Sequence, residues 1–207
     1  MSTNRDFSRD GTFLIDLTKC TGCRACQVAC KQWNQLPAEQ TVFFSGEGYE
    51  NPPAMSEYTF TRIKFRDYQK NGQNEFAFYK EMCMHCNEPA CASVCPVGAF
   101  EKTELGPVFY KEDRCIGCRF CMIACPFGVP KYEWSKALPL VKKCTGCYER
   151  IREGLAPACA TTCPTCALTA SCAPKTMRTT IPMVTIIPLK HAPVTTAKNN
   201  DVNRSFR

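Results

Sequence analysis

No run of apolar residues in this sequence is long enough to cross a bilayer. The most apolar late stretch, IPMVTIIPL at 181–189, is too short for a span and is broken by prolines. A secretory signal is missing as well: the N-terminus, MSTNRDFSRDG, is polar, has no apolar h-region and carries no twin-arginine pair. These absences predict a chain that is soluble or peripheral to a membrane, with no transmembrane segment of its own. Catalytic signatures are also missing. There is no P-loop, no G-x-G-x-x-G and no Ser/His/Asp set, so the sequence nominates no catalytic residue. Neither a basic helix nor an interleaved aromatic run marks a nucleic-acid surface.

Cysteine is what the chain has in excess, 18 in 207 residues. Such usage needs a dedicated chemistry: disulfides, zinc or iron–sulfur clusters. Disulfide scaffolds are mostly short secreted chains, which argues for reduced thiols and metal. The formal charge of +7 counts thiols as neutral. If sixteen thiolates ligate four oxidised cubane cores carrying roughly +8, the loaded protein sits near −1. The basic side chains then compensate buried cluster charge, and no nucleic-acid partner is expected.

Two internal repeats organise the chain. GTFLIDLTKCTGCRACQVAC (11–30) aligns without gaps on GPVFYKEDRCIGCRFCMIAC (106–125), sharing C-x-G-C-R-x-C-x-x-A-C. PACASVCPVGA (89–99) aligns on PACATTCPTCA (157–167). Four cysteine groups result. They are Cys20, Cys23, Cys26 and Cys30; Cys83, Cys86, Cys91 and Cys95; Cys115, Cys118, Cys121 and Cys125; and Cys144, Cys147, Cys159 and Cys163. Three groups end in Cys-Pro, and the first has Lys31 instead. In the second repeat Cys166 falls on Gly98, a turn position, and Cys172 has no counterpart, so both are read as non-ligands.

Short strands at 13–17 and 107–110 feed the ligand loops, and the C-x3-C segments start short helices that Pro96 and Pro126 stop. The expected fold is α+β: two bacterial-ferredoxin-like two-cluster units with a β-containing insertion and an irregular C-terminal tail. One unit combines 12–33 with 140–172, and the other spans 83–139. The insertion, 34–82, is turn-rich at GEGYENPP (46–53) and carries a hairpin, EYTFTRIKF (57–65) against NEFAFYK (74–80), around KNGQN. Residues 173–207 read as a docking or disordered tail.

A cubane needs four thiolates at the corners of a tetrahedron. C-x2-C-x2-C wraps three corners of one cube, and the cysteine at x3 starts a helix pointing away, so that it serves a neighbouring cube. Zinc sites use separated pairs, which the triplets do not fit; the fourth group alone could pass for a zinc ribbon, but its repeat match argues for iron. Crossing requires partner groups. Only 19 residues separate Cys95 from Cys115, so the middle groups suit one unit and the outer groups pair with each other. Cluster A is assigned to Cys20, Cys23, Cys26 and Cys163, and cluster B to Cys144, Cys147, Cys159 and Cys30. Cluster C takes Cys83, Cys86, Cys91 and Cys125, and cluster D takes Cys115, Cys118, Cys121 and Cys95. The cofactors are four [4Fe-4S] clusters.

The order of sixteen cysteines over 12–168 resembles the four-cluster electron-transfer subunit of molybdopterin oxidoreductases. ACKQWNQLPAE (29–39), NPPAMSEYTFTRIKF (51–65), CRFCMIACPFGVPKY (118–132) and KCTGCYERIREGLAPAC (143–159) lean toward the formate dehydrogenase beta subunit. The resemblance implies the same crossed ligation and a molybdenum- or tungsten-pterin catalytic subunit as partner, with a cytochrome or other electron acceptor beyond it. It implies a non-catalytic subunit relaying single electrons for formate oxidation or carbon dioxide reduction. The same relay could serve a sulfur-compound reductase, an aldehyde oxidoreductase or a hydrogenase complex. A free polyferredoxin shuttle and a zinc-binding adaptor are readings of other classes. Such beta subunits typically end in a transmembrane helix and continue past the last ligand with Pro-x-Gly-Ala; this sequence has CPTCALTASC there. The compartment is either cytoplasmic, or periplasmic by co-export with a signal-bearing partner.

Other residues carry two readings each. Arg24 and Arg119, equivalent in the repeat, either raise a cluster potential or are solvated on exposed loops. His85, inside CMHC, either tunes a cluster or ligates one, and the resemblance implies that it is not a ligand. Trp33 and Trp134 are read as packing covers, and Tyr148 and Arg150 as partner-facing or simply solvated.

Overall fold

The computed structural model describes residues 11–41, 49–172 and 184–187. In chain order the first elements are β1 (Gly11–Asp16), α1 (Ala25–Trp33), β2 (Thr61–Lys70) and β3 (Gln73–Met82). They are followed by α2 (Ala90–Ser93), β4 (Phe100–Lys102), β5 (Val108–Tyr110) and a 3-10 turn at Glu112–Arg114. Next come α3 (Phe120–Ala124), β6 (Lys131–Tyr132), β7 (Val141–Lys142), α4 (Tyr148–Arg152) and α5 (Ala158–Thr161). The last are β8 (Leu168–Cys172) and β9 (Val184–Ile187).

Four of the helices follow from one local pattern. After each C-x3-C the chain meets proline or it does not. In α2, α3 and α5 the Cys-Pro step lies just beyond the helix, because proline restricts the residue before it and lacks an amide donor. α1 has Lys31 in that place and runs on to Trp33. The substitution has a second effect: Lys31 Nζ donates to Glu39 (2.8 Å), to the Tyr58 carbonyl (2.8 Å) and to the Pro37 carbonyl (3.2 Å). Glu39 also accepts from the hydroxyls of Ser56 and Thr59. The head of the insertion is thus tied to the longest helix.

The insertion carries the hairpin, longer than the sequence suggests. β2 and β3 pair from Thr61↔Met82 to Lys70↔Gln73. Asn71 and Gly72 both take positive φ, 51° and 77°, the two-residue turn whose twist matches the flanking strands. Gln27 of α1 accepts from the Ile63 amide (2.8 Å), and this buried contact fixes the hairpin against the helix.

The chain ends interleave. β1 pairs antiparallel with β8, from Gly11↔Cys172 to Ile15↔Leu168, and parallel with β9 on its other edge. Within the stretch read as an irregular tail, Val184–Ile187 is therefore a strand, where a β-branched run finds an open edge beside β1; the remaining residues of 173–207 lie outside the described ones. α1 packs on α5 and α2 on α3, which brings the helix of the first cysteine group to that of the fourth and the helix of the second to that of the third. Phe13, Ile15, Ile63, Met82 and Leu168 are buried with Cys26, Cys30, Cys83, Cys144 and Cys159 in one core. Burying each large apolar side chain there contributes roughly 1.5–3 kcal/mol. A smaller core sits under the other unit, around Phe100, Val108, Tyr110, Cys121 and Val141. Among the described residues no helix is long and apolar enough to cross a membrane.

Candidate metal centre

Eight of the thiols line two clefts, four in each. A cleft with about 380 Å³ of empty space is lined by Cys20, Cys23, Cys26 and Cys163, closed by Ile15, Ile63 and Leu168. A second, of about 330 Å³, is lined by Cys30, Cys144, Cys147 and Cys159 beside Phe13, Met82 and Pro157. These are cages A and B. In the other unit the thiols act on one another electrostatically. Burial pushes Cys91 up to about 11; Lys143 opposes this, and Cys83, Cys125 and Cys86 add to it. Burial pushes Cys121 up to about 12, with Cys91, Cys115, Cys118 and Cys95 adding. The labels C and D are kept for the sets that the sequence leads one to expect, Cys83, Cys86, Cys91 and Cys125 for C and Cys95, Cys115, Cys118 and Cys121 for D. In the two clefts Cys30 lies with Cys144, Cys147 and Cys159, and Cys163 lies with Cys20, Cys23 and Cys26. Cys30, carried by α1, stands with Cys159 of α5; Cys163, just beyond α5, stands with the loop before α1.

The loops that present the thiols share a backbone. In C-x-G-C the glycine adopts a left-handed conformation three times: Gly22 at φ +69°, Gly117 at +70° and Gly146 at +68°. A Cβ on Gly22 would meet the Phe78 ring at 2.8 Å, so the hairpin closes directly over that loop. Arg24 and Arg119 superpose in conformation, with φ 63° and 64°. Neither is a simply solvated side chain: Arg24 lies over the Phe65 ring at 4.7 Å and donates to the Tyr49 carbonyl. Arg119 lies over Tyr132 at 5.4 Å and Trp134 at 5.3 Å. Amides aim at sulfur: Ala99 at Cys95 (3.2 Å), Gly117 at Cys115 and Gly146 at Cys144 (both 3.4 Å). N–H donors of this kind raise the potential of a bound cluster.

His85 occupies the glycine position of CMHC with φ +45°, a conformation that costs a residue with Cβ about 1–2 kcal/mol. It is fully buried and stacks on Phe13, ring centroids 6.2 Å apart. Burial, then the ammonium groups of Lys143 and Lys102, hold it well below the ordinary imidazole range, so it is neutral. The Val108 amide donates to Nδ1 (3.1 Å), which places the proton on Nε2. Nε2 has no partner among the described residues, an orphaned donor beside sulfur-rich loops. That tautomer suits a hydrogen-bond donor to a cluster better than a ligand.

The residues present fit iron–sulfur cubanes. The thiols are buried enough to resist ionisation alone: burial pushes Cys30 up to about 12, against Lys80, with Cys159, Cys147 and Cys26 adding. Cys144 is raised well above the usual thiol range by burial, then by Cys30, Cys83 and Cys147. Iron binding must displace those protons, so ligation offsets the burial cost.

Comparison with known proteins bears on the same residues. A family described as "4Fe-4S dicluster domain" matches twice, over 19–99 and over 74–172. The B component of the anaerobic dimethyl sulfoxide reductase of Escherichia coli (strain K12) is 42% identical over 75% of this chain and 70% of its own length. The protein belongs to the 4Fe-4S dicluster family. The nitrate-inducible formate dehydrogenase iron–sulfur subunit of Escherichia coli (strain K12) is 39% identical over 79% of this chain and 55% of its own length. The formate dehydrogenase iron–sulfur subunit of Haemophilus influenzae is 38% identical over 79% of this chain and 52% of its own. The chain therefore spans about half the length of these formate dehydrogenase relatives. The two dicluster matches follow the chain linearly and overlap at 74–99, while the cages interleave its ends.

The remaining residues take definite places. Cys166 is exposed and lines neither cleft. The side chain of Cys172 lies outside what is described. Trp33 is 40% and Trp134 61% exposed, so neither seals a core; each carries an arginine on its face, Arg150 at 4.6 Å from Trp33. Tyr148 packs on Phe109, ring centroids 5.1 Å apart. Sequence reasoning missed Lys80, buried in β3, and its partner Thr61; strand alternation puts Lys80 on the inward face with Met82, which was the available signal.

Proposed function

We propose that this chain is the non-catalytic electron-transfer subunit of a molybdenum- or tungsten-pterin oxidoreductase, holding four [4Fe-4S] clusters in cages A to D. Bound clusters supply one-electron redox chemistry; the chain supplies their spacing, their shielding from water and their electrostatic surroundings. The observation that carries the reading is the order of the cages. Cys26 of cage A, Cys30, Cys144 and Cys159 of cage B and Cys83 of cage C share one buried core, and Cys91 of cage C packs on the core that holds Cys121 of cage D. This packing supports a file A–B–C–D, the arrangement a relay between two docking ends requires. Between cages B and C the file crosses from one unit to the other, where Pro107 and His85 pack against Gly146.

Formate dehydrogenase is the favoured partner, because α1 and the insertion that clamps it carry the stretches, 29–39 and 51–65, that lean toward its beta subunit. A sulfur-compound reductase is the second reading, favoured by the 42% identity to a component of a dimethyl sulfoxide reductase. Purification from native extract with metal, pterin and iron analysis tests both. About sixteen irons per chain and a co-eluting pterin subunit are expected. A lone 23.2 kDa species would point to a free shuttle, and a colourless protein to a zinc adaptor. Formate-dependent reduction of the clusters in that complex decides between the two partners.

A further inference from the structure

Lys80 is the one lysine that lines both cleft A and cleft B. It is 4% exposed. Its ammonium donates to Thr61 Oγ1, the only hydrogen-bond partner it has among the described residues, and the Thr61 hydroxyl in turn donates to the Glu81 carbonyl (3.0 Å). No carboxylate pairs with it among the described residues. A buried ammonium with one neutral partner is costly unless negative charge stands nearby. The negative charge available is sulfur: the clefts that Lys80 lines carry Cys20, Cys23, Cys26 and Cys163 on one side and Cys30, Cys144, Cys147 and Cys159 on the other.

Two other lysines are differently engaged. Lys143, which is buried, donates to the Val108 and Cys144 carbonyls at 2.6 and 2.9 Å, and Lys102, which is only half-buried, donates to the His85 and Gly106 carbonyls. Lys80 also has a different origin. It comes from the inserted hairpin, which neither ferredoxin-like repeat contains. The Gln27–Ile63 hydrogen bond and the seating of Phe78 over Gly22 hold that hairpin, so its ammonium cannot swing out to solvent.

We propose that Lys80 is a fixed positive charge shared by cages A and B, delivered by the insertion to raise the reduction potentials of both clusters together. This rests on the cluster reading above. A positive charge favours the reduced, more negative form of a cluster, and in a dry site its effect is large. Placed between two clusters, it keeps the step between them level while setting the pair apart from C and D.

The test is a potentiometric titration of the full chain loaded with iron, followed by electron paramagnetic resonance. The cluster reading is checked first: wild type without iron or visible absorbance sinks that reading, independently of any variant. With wild type loaded, Lys80→Met is expected to lower two of the four potentials by a tenfold change in reduction equilibrium or more, about 59 mV for one electron. Cys20→Ser and Cys144→Ser, each perturbing one member, identify the two. Lys80→Arg is expected to keep all four potentials. Unchanged potentials in Lys80→Met, or an equal shift of all four, overturn the proposal. If Lys80→Met does not retain iron, Thr61→Val decides: two potentials moving while two stay supports the shared charge, and four unmoved potentials reject it.

Discussion

Cys166 adopts φ +51° where Gly98, its counterpart in the repeat, adopts φ +59°. The surroundings match as well: the Cys166 amide donates to the Cys163 carbonyl at 3.3 Å, and the Gly98 amide to the Cys95 carbonyl at 3.2 Å. A thiol has been placed on a turn that only glycine occupies without strain, and it lines neither cleft. Cys166→Gly should therefore raise stability by about 1 kcal/mol and leave the iron count unchanged. Thermal melting and iron analysis of the same preparation check both halves; a loss of about four irons would make Cys166 a ligand.

Two cysteines four positions apart on one helix line different clefts. Cys26 lines cleft A and Cys30 cleft B. Cys26→Ala and Cys163→Ala should then perturb the same cluster signal, whereas Cys30→Ala should perturb the one that responds to Cys159→Ala. Each loses or converts one cube of the four, leaving about twelve to fifteen irons. Spectra in which Cys26→Ala and Cys30→Ala alter one and the same cluster would refute the crossing.

Glu39 gives a pH dependence of known sign. Burial raises its pKa, but the hydrogen bonds from Lys31, Ser56 and Thr59 outweigh this and hold it below the usual carboxylate value. A depressed folded-state pKa contributes stability that is present above the unfolded value and is lost as pH falls through the folded one. Glu39→Gln should accordingly melt below wild type at neutral pH, with the gap closing between about pH 5 and pH 3. Melting curves of both proteins across that range decide it; a gap that widens in acid would show that the clamp has another basis.

At the join between the units, Gly146 has no room for a methyl group. A Cβ there would meet Pro107 Cβ at 2.9 Å and His85 Cε1 at 3.2 Å, and φ is +68°. Gly146→Ala should cost roughly 2–5 kcal/mol from backbone strain and overpacking together. Gly154→Ala, at φ +74° with nothing nearby, should cost only about 1–2 kcal/mol. Equal losses in a side-by-side melting comparison would mean that the units do not press on each other at this point.

Part of the site was legible because cysteine spacing is itself geometry: the ligand loops and the short helices after them follow from x2, x2 and x3. The repeat even supplied the conformation of Cys166. Less legible were features whose meaning depends on partners far along the chain. Lys31 in place of proline was visible as a departure, yet its role needs Glu39 and Tyr58 to fold back onto it. The occupation of a glycine position by His85 could have been found by laying CMHC over CTGC. Lys80 could not be understood from the hairpin alone, since an inward lysine in a strand only makes sense once two sets of thiols stand behind it. β9 went unread because its prolines suggested irregular structure, and its pairing with β1 is set by an edge that local sequence does not announce.

The interleaving of the chain ends also imposes a timetable on synthesis. Cages C and D have all their thiols once residue 125 has emerged, so the middle of the chain can be completed while the rest is still being made. Cage B waits for Cys159 and cage A for Cys163, although Cys20, Cys23, Cys26 and Cys30 emerged long before. Those early thiols, and the strand β1 that awaits β8, must be kept reduced and unclaimed for most of translation. The part of the protein made first is the part finished last.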